Sequence, residues 1–274
     1  MSEEVVLIEE SEDGTITTIK MNRLAKKNAL NYDLMMGLQK AIDKVERSNT
    51  RVVIITGGDD FFSAGIDLNF LTGKEKDDEG IIPDLRVPRN FRYFINNTVQ
   101  PIYTRIEKME KPVIAKINGY CFGMGFELAL ACDFRFCLDS ANFSMLETKI
   151  GMNPDVGGVI RTVRLCGIPN AKDIILTGRN FDGNEAYRLG VVNRVGKSPE
   201  ELNSIIKMYS DELIDSAPLA VGLTKKLIDD CYGKDVALGL ELETLVSSQL
   251  LQTKDATSGA LARLQKTKPK WRFK

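Results

Sequence analysis

The stretch that decides the fold is "KPVIAKINGYCFGMGFELALACDFRFCL", residues 111–138. Residues 111–119 form a mostly apolar run, with Pro112 near its start where a missing backbone donor is tolerated in a strand. A glycine-rich turn follows, with Gly119, Gly123 and Gly125 inside seven residues. An apolar helix then carries one acid, Glu127, and a second apolar strand reads at 133–138. Continuous apolar strands belong in a parallel sheet covered on both faces. Strand, glycine turn, helix, strand is the repeating unit of an α/β fold.

The same pattern extends outward. "RVVIITGG" (51–58) is another buried strand ending in glycines, and "TITTIKM" (15–21) reads as a strand. Between them, 32–47 carries Leu34, Leu38, Ala41, Ile42 and Val45 at helical spacing. "FSM" (143–145) starts a further strand. After about 157 the pattern is helical only, over 157–166, 170–177, 183–189, 199–215, 218–232, 236–252 and 254–266. The chain therefore divides into a core at 1–198 and a C-terminal helical region at 199–274 that caps the core or a neighbouring subunit. The segment 73–98 is charged and contains two prolines. It reads as a mobile loop leading into a helix from about 89, as much a solvated insertion as a substrate lid.

Composition narrows the function. The 37 basic and 38 acidic residues leave a net charge of −1, so no basic field exists to hold a nucleic acid. No apolar run approaches the ~20 residues that span a bilayer. The acidic start "MSEEVVLIEE" lacks a signal pattern, and "KWRFK" is no organelle address, so a cytoplasmic setting is expected. Five cysteines, at 121, 132, 137, 166 and 231, form no C-x-x-C pair and read as reduced thiols. The chain contains no histidine. That removes histidine-based triads, histidine general bases and most zinc sites. Acid–base work falls to carboxylates, Lys, Tyr or Cys.

A glycine turn that opens a helix offers backbone N–H groups without internal partners, at the positive end of the helix dipole. Such groups receive an anion or a developing oxyanion. The spacing Gly119-x-x-x-Gly123-x-Gly125 also copies the cofactor turn of short-chain dehydrogenases. That turn follows the first strand and needs a Tyr-x-x-x-Lys pair, and none of the seven tyrosines here has lysine four residues on. Taken alone, the glycines equally serve close helix–sheet packing. A second glycine turn shifts the balance: in "GGDDFFSAGIDLNFL" (57–71), Ala64-Gly65 precedes Ile66 in a tight turn into a short helix. Two such turns supply two N–H donors, enough for an oxyanion hole around a thioester or ester carbonyl.

"FFSAGIDLNFL" followed by "NGYCFGMGFELALACDFRF" resembles the crotonase (enoyl-CoA hydratase/isomerase) superfamily. "MNRLAKKNALNYDL" (21–34) is similar to its CoA-contact segment, "FSMLETKIGMNPDVGGVIRTVRLCG" (143–167) to its second catalytic segment, and "ILTGRNFDGNEAYRLGVVNRV" (175–195) to the helix–turn that follows. The resemblance covers about residues 5–265. It implies an α/β fold with a spiral ββα core and a C-terminal helical region, assembled as homotrimers or dimers of trimers. It implies an acyl-CoA thioester substrate, with CoA as part of the substrate and no metal or redox cofactor. The oxyanion donors would be the backbone N–H groups of Ile66 and Met124. Many family members have glycine in place of Met124, whose thioether would narrow the space over the carbonyl. Implied substrate contacts are Ala25, Lys26 and Lys27; Ala64, Gly65, Asp67 and Leu68; Gly123; and Lys266, toward a neighbour's CoA.

Three carboxylates are candidates for the chemistry. Glu127 reads as standing in the first turn of its helix, where a carboxylate also stabilises the dipole. Glu147, taken alone, is an ordinary exposed loop acid. Hydratases of the family carry glutamate at both matching positions, so a 2-enoyl-CoA hydratase is the leading reading, with water held between the pair. Asp155, in "GMNPDVGG", matches a catalytic aspartate of some enoyl- and dienoyl-CoA isomerases, and equally reads as a cap on the 157–166 helix. An isomerase is therefore the alternative enzyme. A catalytically idle acyl-CoA-binding or assembly protein is the alternative of another class.

Overall fold

The computed structural model describes residues 4–74 and 82–272 of the chain. Its main sheet has six strands in the order β1 (Val6–Glu10), β2 (Ile16–Met21), β3 (Val52–Thr56), β5 (Val113–Ile117), β7 (Phe134–Leu138) and β10 (Arg194–Gly196). β1 runs antiparallel to β2 and the rest run parallel. A second sheet has the order β4 (Phe61–Ser63), β6 (Tyr120–Phe122), β8 (Asn142–Ser144) and β9 (Phe181–Asp182), parallel except for β9. β3, β5 and β7 each pass within a few residues into a strand of the second sheet, and a helical segment follows. This repetition is the spiral of ββα units.

The apolar runs are explained by burial on both faces. Along β5, Val113, Ala115 and Ile117 enter the main core, while Ile114 faces a second cluster. That cluster holds Val52, Phe136 and Leu138 from the sheet and Leu202 and Ile206 from α8 (Pro199–Asp215). The helix that opens the C-terminal region therefore covers the far face of the main sheet. On the near face, α1 (Tyr32–Arg47) buries Leu34, Leu38, Ala41, Ile42 and Val45, the stripe read from the sequence.

Each helix expected after 157 is present. The first two are joined as α6 (Gly158–Thr177), bent at Gly167 (φ 76°) two residues before Pro169. Then come α7 (Gly183–Arg188), α8, α9 (Pro218–Cys231), α10 (Val236–Leu251) and α11 (Lys254–Gln265). Residues 75–81 of the expected loop lie outside the described residues. After them, α3 (Pro88–Phe94), a π-helical turn (Ile95–Val99) and α4 (Gln100–Lys108) run on from one another. The short helices α2 (Leu68–Leu71) and α5 (Gly123–Leu130) follow the two glycine turns.

Candidate active site

The two glycine turns touch. Gly65 has φ +93°, and a Cβ there would stand 3.0 Å from the Phe122 carbonyl oxygen and 3.6 Å from Gly123 Cα. Gly123 has φ +48°, a left-handed conformation that costs roughly 1–2 kcal/mol in a residue with a side chain. Among the described residues the Ile66 N–H has no acceptor. Met124 is the second residue of α5, before any intrahelical acceptor exists, and Phe122 gives no side-chain cap. Two unspent backbone donors thus stand on adjoining turns. The Met124 side chain packs into the main core.

Glu127 is the fifth residue of α5, not a first-turn residue, and it is 1% exposed. Its Oε1 accepts from the N–H groups of Val156 (2.9 Å) and Gly158 (2.7 Å). The carboxylate therefore caps α6, the role weighed for Asp155 as the alternative to catalysis; α6 has no cap from the side chain of its N-cap, Gly157. Burial, then the neighbouring Glu147, push the Glu127 carboxyl up to about 8, against the pull of the two N–H bonds. Glu147 opens a 3-10 turn (Glu147–Ile150) after β8 and is half-buried, not an exposed loop acid. Its Oε1 lies 2.8 Å from where a Cβ on Gly123 would be, so the missing side chain makes room for this carboxyl. Its Oε2 is buried without a hydrogen-bond partner. Burial, with Asp155 nearby, raises Glu147 to about 7. Asp155 is half-buried, and burial raises it to about 6. The structure thus gathers the three acids named from the sequence beside the two turns.

The segment 21–34 is zippered to the first turn. Ala64 N–H donates to the Lys27 carbonyl (2.9 Å), Leu30 N–H to Gly65 (2.7 Å) and Asp67 N–H to Leu30 (2.9 Å). Ala25, Lys26 and Lys27 are exposed on this edge, and Lys27 Nζ stands 6.0 Å over the Tyr120 ring. Leu68 is exposed beside them. Asp67 is spent on structure: it caps α2 through Asn69 N–H (2.9 Å) and pairs with Arg23 at 2.6 Å. Lys266 is exposed at the left-handed end of α11 (φ 55°).

Sequence reasoning missed three residues that hold this arrangement. Asn28 donates to the Phe62 carbonyl (3.2 Å) and accepts from Arg23 N–H (2.8 Å), locking the two segments together. Tyr103 is fully buried, and its hydroxyl donates to the Met124 carbonyl at 3.1 Å. Gln100 Nε2 donates to the Asp155 carbonyl at 2.7 Å. Both α4 residues lie in a stretch that reads as an ordinary amphipathic helix, and their partners are 21 and 55 residues away. Among the described residues no group of three His, Cys, Asp or Glu side chains could hold a metal ion, and no helix is long and apolar enough to cross a membrane.

A family model described as enoyl-CoA hydratase/isomerase matches residues 11–274. A carnitinyl-CoA dehydratase of Salmonella arizonae is 37% identical over 267 residues, covering 95% of this chain and 96% of that protein. A short-chain-enoyl-CoA hydratase of Clostridium acetobutylicum is 33% identical, covering 93% and 94%. A peroxisomal Delta(3,5)-Delta(2,4)-dienoyl-CoA isomerase of Arabidopsis thaliana is 31% identical, covering 97% and 95%. The crystal structure of an enoyl-CoA hydratase from Bacillus anthracis superposes with a TM-score of 0.87 at 30% identity, covering 98% of this chain and all of that one. Motifs, spiral fold and full-length similarity agree, and the chain belongs to the enoyl-CoA hydratase/isomerase family, the crotonase superfamily.

Proposed function

We propose that the protein is a 2-enoyl-CoA hydratase. The observation that carries this reading is the glutamate pair: Glu127 is fixed by two backbone N–H groups, and Glu147 stands near it, with an unpartnered oxygen, beside the second glycine turn. With carboxyls at about 8 and about 7, the pair holds one proton at a pH between those two values. That is the state hydration needs. One carboxylate takes a proton from water as its oxygen adds to C3; the other carboxyl gives a proton to C2. Between these events the thioester oxygen carries negative charge, which the Ile66 and Met124 N–H groups accept. A donor of this kind is typically worth about 2.7–4 kcal/mol in the transition state. Two relatives with hydro-lyase names, a dehydratase and a hydratase, support the same chemistry run in either direction. The exposed edge at Ala25, Lys26 and Lys27 suits the CoA phosphates. Free cysteines, three of them buried, suit a cytoplasmic setting.

Asp155 supports a second reading, double-bond isomerisation. Its carboxyl does not cap α6, it stands near the two glutamates, and a dienoyl-CoA isomerase is among the relatives. An isomerase moves one proton along the acyl chain and adds no water. Incubation with 2-enoyl-, 3-enoyl- and dienoyl-CoA thioesters, followed by mass and chromatography, separates the readings. Hydration adds the mass of water to a 2-enoyl substrate; isomerisation changes retention at constant mass. No change in any thioester would leave an acyl-CoA-binding protein as the better reading.

A further inference from the structure

We infer that one face of α4 is the positioning element of this site, with the Tyr103 hydroxyl holding the residue whose N–H completes the oxyanion hole. Gln100, Tyr103 and Glu107 stand at i, i+3 and i+7 and so share one face of the helix. Each grips a different part of the site. Gln100 holds the Asp155 carbonyl at 2.7 Å. Tyr103 holds the Met124 carbonyl at 3.1 Å. Glu107 accepts from Arg161 Nη2 at 2.7 Å; Arg161 Nη1 donates to the Val156 carbonyl at 2.8 Å, and the Val156 N–H donates to Glu127 at 2.9 Å. One helix therefore sets the donor on α5, the backbone at Asp155 and, through Arg161, the cradle of Glu127.

The Tyr103 hydroxyl suits this work. Burial, then the charge of Glu127, pushes its ionisation well above the usual phenol range, so it stays a donor. A carbonyl has two lone pairs, so the Met124 carbonyl can accept from Tyr103 and from its own helix. The opposite side of α4 is anchored separately, with Arg105 bonded to Asp43 and Glu46 of α1. The helix is thus held from behind while its front face aligns the site. Misplacing a reacting group by an ångström can cost about 10²-fold in rate, and a single lost hydroxyl contact is expected to cost less.

The inference rests on the oxyanion reading of the two turns. Tyr103→Phe keeps the ring and removes only the donor. The expected result is a kcat lower by about 10-fold with KM within about 2-fold. A readout free of turnover is the carbonyl stretch of bound butyryl- or octanoyl-CoA, labelled with ¹³C at the thioester. Wild-type protein should shift it to lower frequency, and Tyr103→Phe should lose part of that shift at equal occupancy. A purely structural role would lower the melting temperature and the active fraction without moving the frequency. If wild-type protein binds and polarises the thioester and Tyr103→Phe does both equally, with unchanged kcat, the inference falls and the site reading stands. If wild-type protein binds no acyl-CoA, or binds without polarising it, the site reading falls and takes the inference with it. Should Tyr103→Phe fail to fold, Gln100→Leu carries the test at Asp155, with a kcat at least about 3-fold lower at unchanged acyl-CoA affinity expected and equal kcat overturning it.

Discussion

At the scale of single residues, the site is an arrangement of proton affinities. Three carboxyls near one another cannot all ionise at neutral pH, and burial raises each of them. If Glu127 and Glu147 work as a pair, removing either should cost about as much as removing both. Glu127→Gln and Glu147→Gln should each lower crotonyl-CoA hydration by at least ~10², with little further loss in the double variant. Asp155→Asn should stay within about tenfold of wild type on that substrate, since its removal leaves the pair intact. An isomerase reverses this order, with Asp155→Asn inactive on 3-enoyl-CoA. The same affinities set a pH dependence of stability. Glu127 binds its proton more tightly folded than unfolded, so between about 4.5 and about 8 the native state holds more protons and loses stability as pH rises. Glu127→Gln removes that loss. Its melting temperature relative to wild type should therefore rise from pH 5 to pH 9; a constant difference would show that Glu127 does not titrate as described. The sequence marked Glu127 because it is the one acid in an apolar helix. It could not show that Val156 and Gly158 supply the carboxylate's donors, because those groups lie 29 and 31 residues on and are backbone atoms of unremarkable residues. Tyr103 was illegible for a related reason: in "QPIYTRIEK" it fills an apolar position that any core aromatic would fill.

At the scale of elements, the strand–turn–helix units do the placing. β3, β5 and β7 were legible because burial on both faces makes them continuous apolar runs, and β2 through its alternation, while β1, which buries none of its residues fully, was not read. Of the second sheet only β8 was legible, through "FSM"; β4, β6 and β9 were not, since strands of two or three residues carry no period. Yet that sheet makes the turns meet: β4 pairs with β6, which brings Gly65 against Phe122 and Gly123. Of the three glycines first noticed, Gly119 and Gly125 serve packing, against the Asp60 carbonyl and Ser63. Gly123 serves the site, because its φ is positive and its absent side chain leaves room for Glu147. Gly123→Ala should thus do two things. The strained backbone should cost about 1 kcal/mol, or roughly 2–4 °C in melting temperature for a chain of this size. The new methyl should displace the Glu147 carboxyl and the Met124 N–H, lowering kcat at least about tenfold while CoA affinity changes about threefold or less, because the donors act on charge that develops during reaction. Equal losses in affinity and turnover would assign the turn to ground-state binding.

At the scale of the whole molecule, the C-terminal helices leave apolar surface exposed in the single chain. α10 buries no residue fully; Leu242, Val246 and Leu250 are half-buried, while Val236 (76%), Leu240 and Leu251 (77%) face outward. Ile228 on α9 and Leu264 on α11 add to this apolar surface. Exposed patches of this kind are candidate interaction surfaces. α9 is pinned to the core by Lys225, which pairs with Asp133 at 2.8 Å beside a cavity of 630 Å³. The tail is pinned elsewhere: Trp271 Nε1 donates to the Asp215 carbonyl (3.0 Å), and Arg272 N–H to Asp255 (2.7 Å), near Arg51 at the entry to β3. That is the opposite end of the parallel strands from the glycine turns. If Lys266 contacts CoA, this attachment suits a neighbour's site better than its own. We therefore expect a trimer or a dimer of trimers whose contacts use α9–α11. Leu240→Glu combined with Leu251→Glu should yield smaller species by sedimentation equilibrium, with the far-ultraviolet dichroism of the α/β core retained. If Lys266 serves a neighbour, that dissociated variant and Lys266→Ala should both weaken CoA binding, and combining them should add little. A wild-type protein that sediments as a monomer at every concentration would remove the interface, and with it the reason for an apolar face on α10.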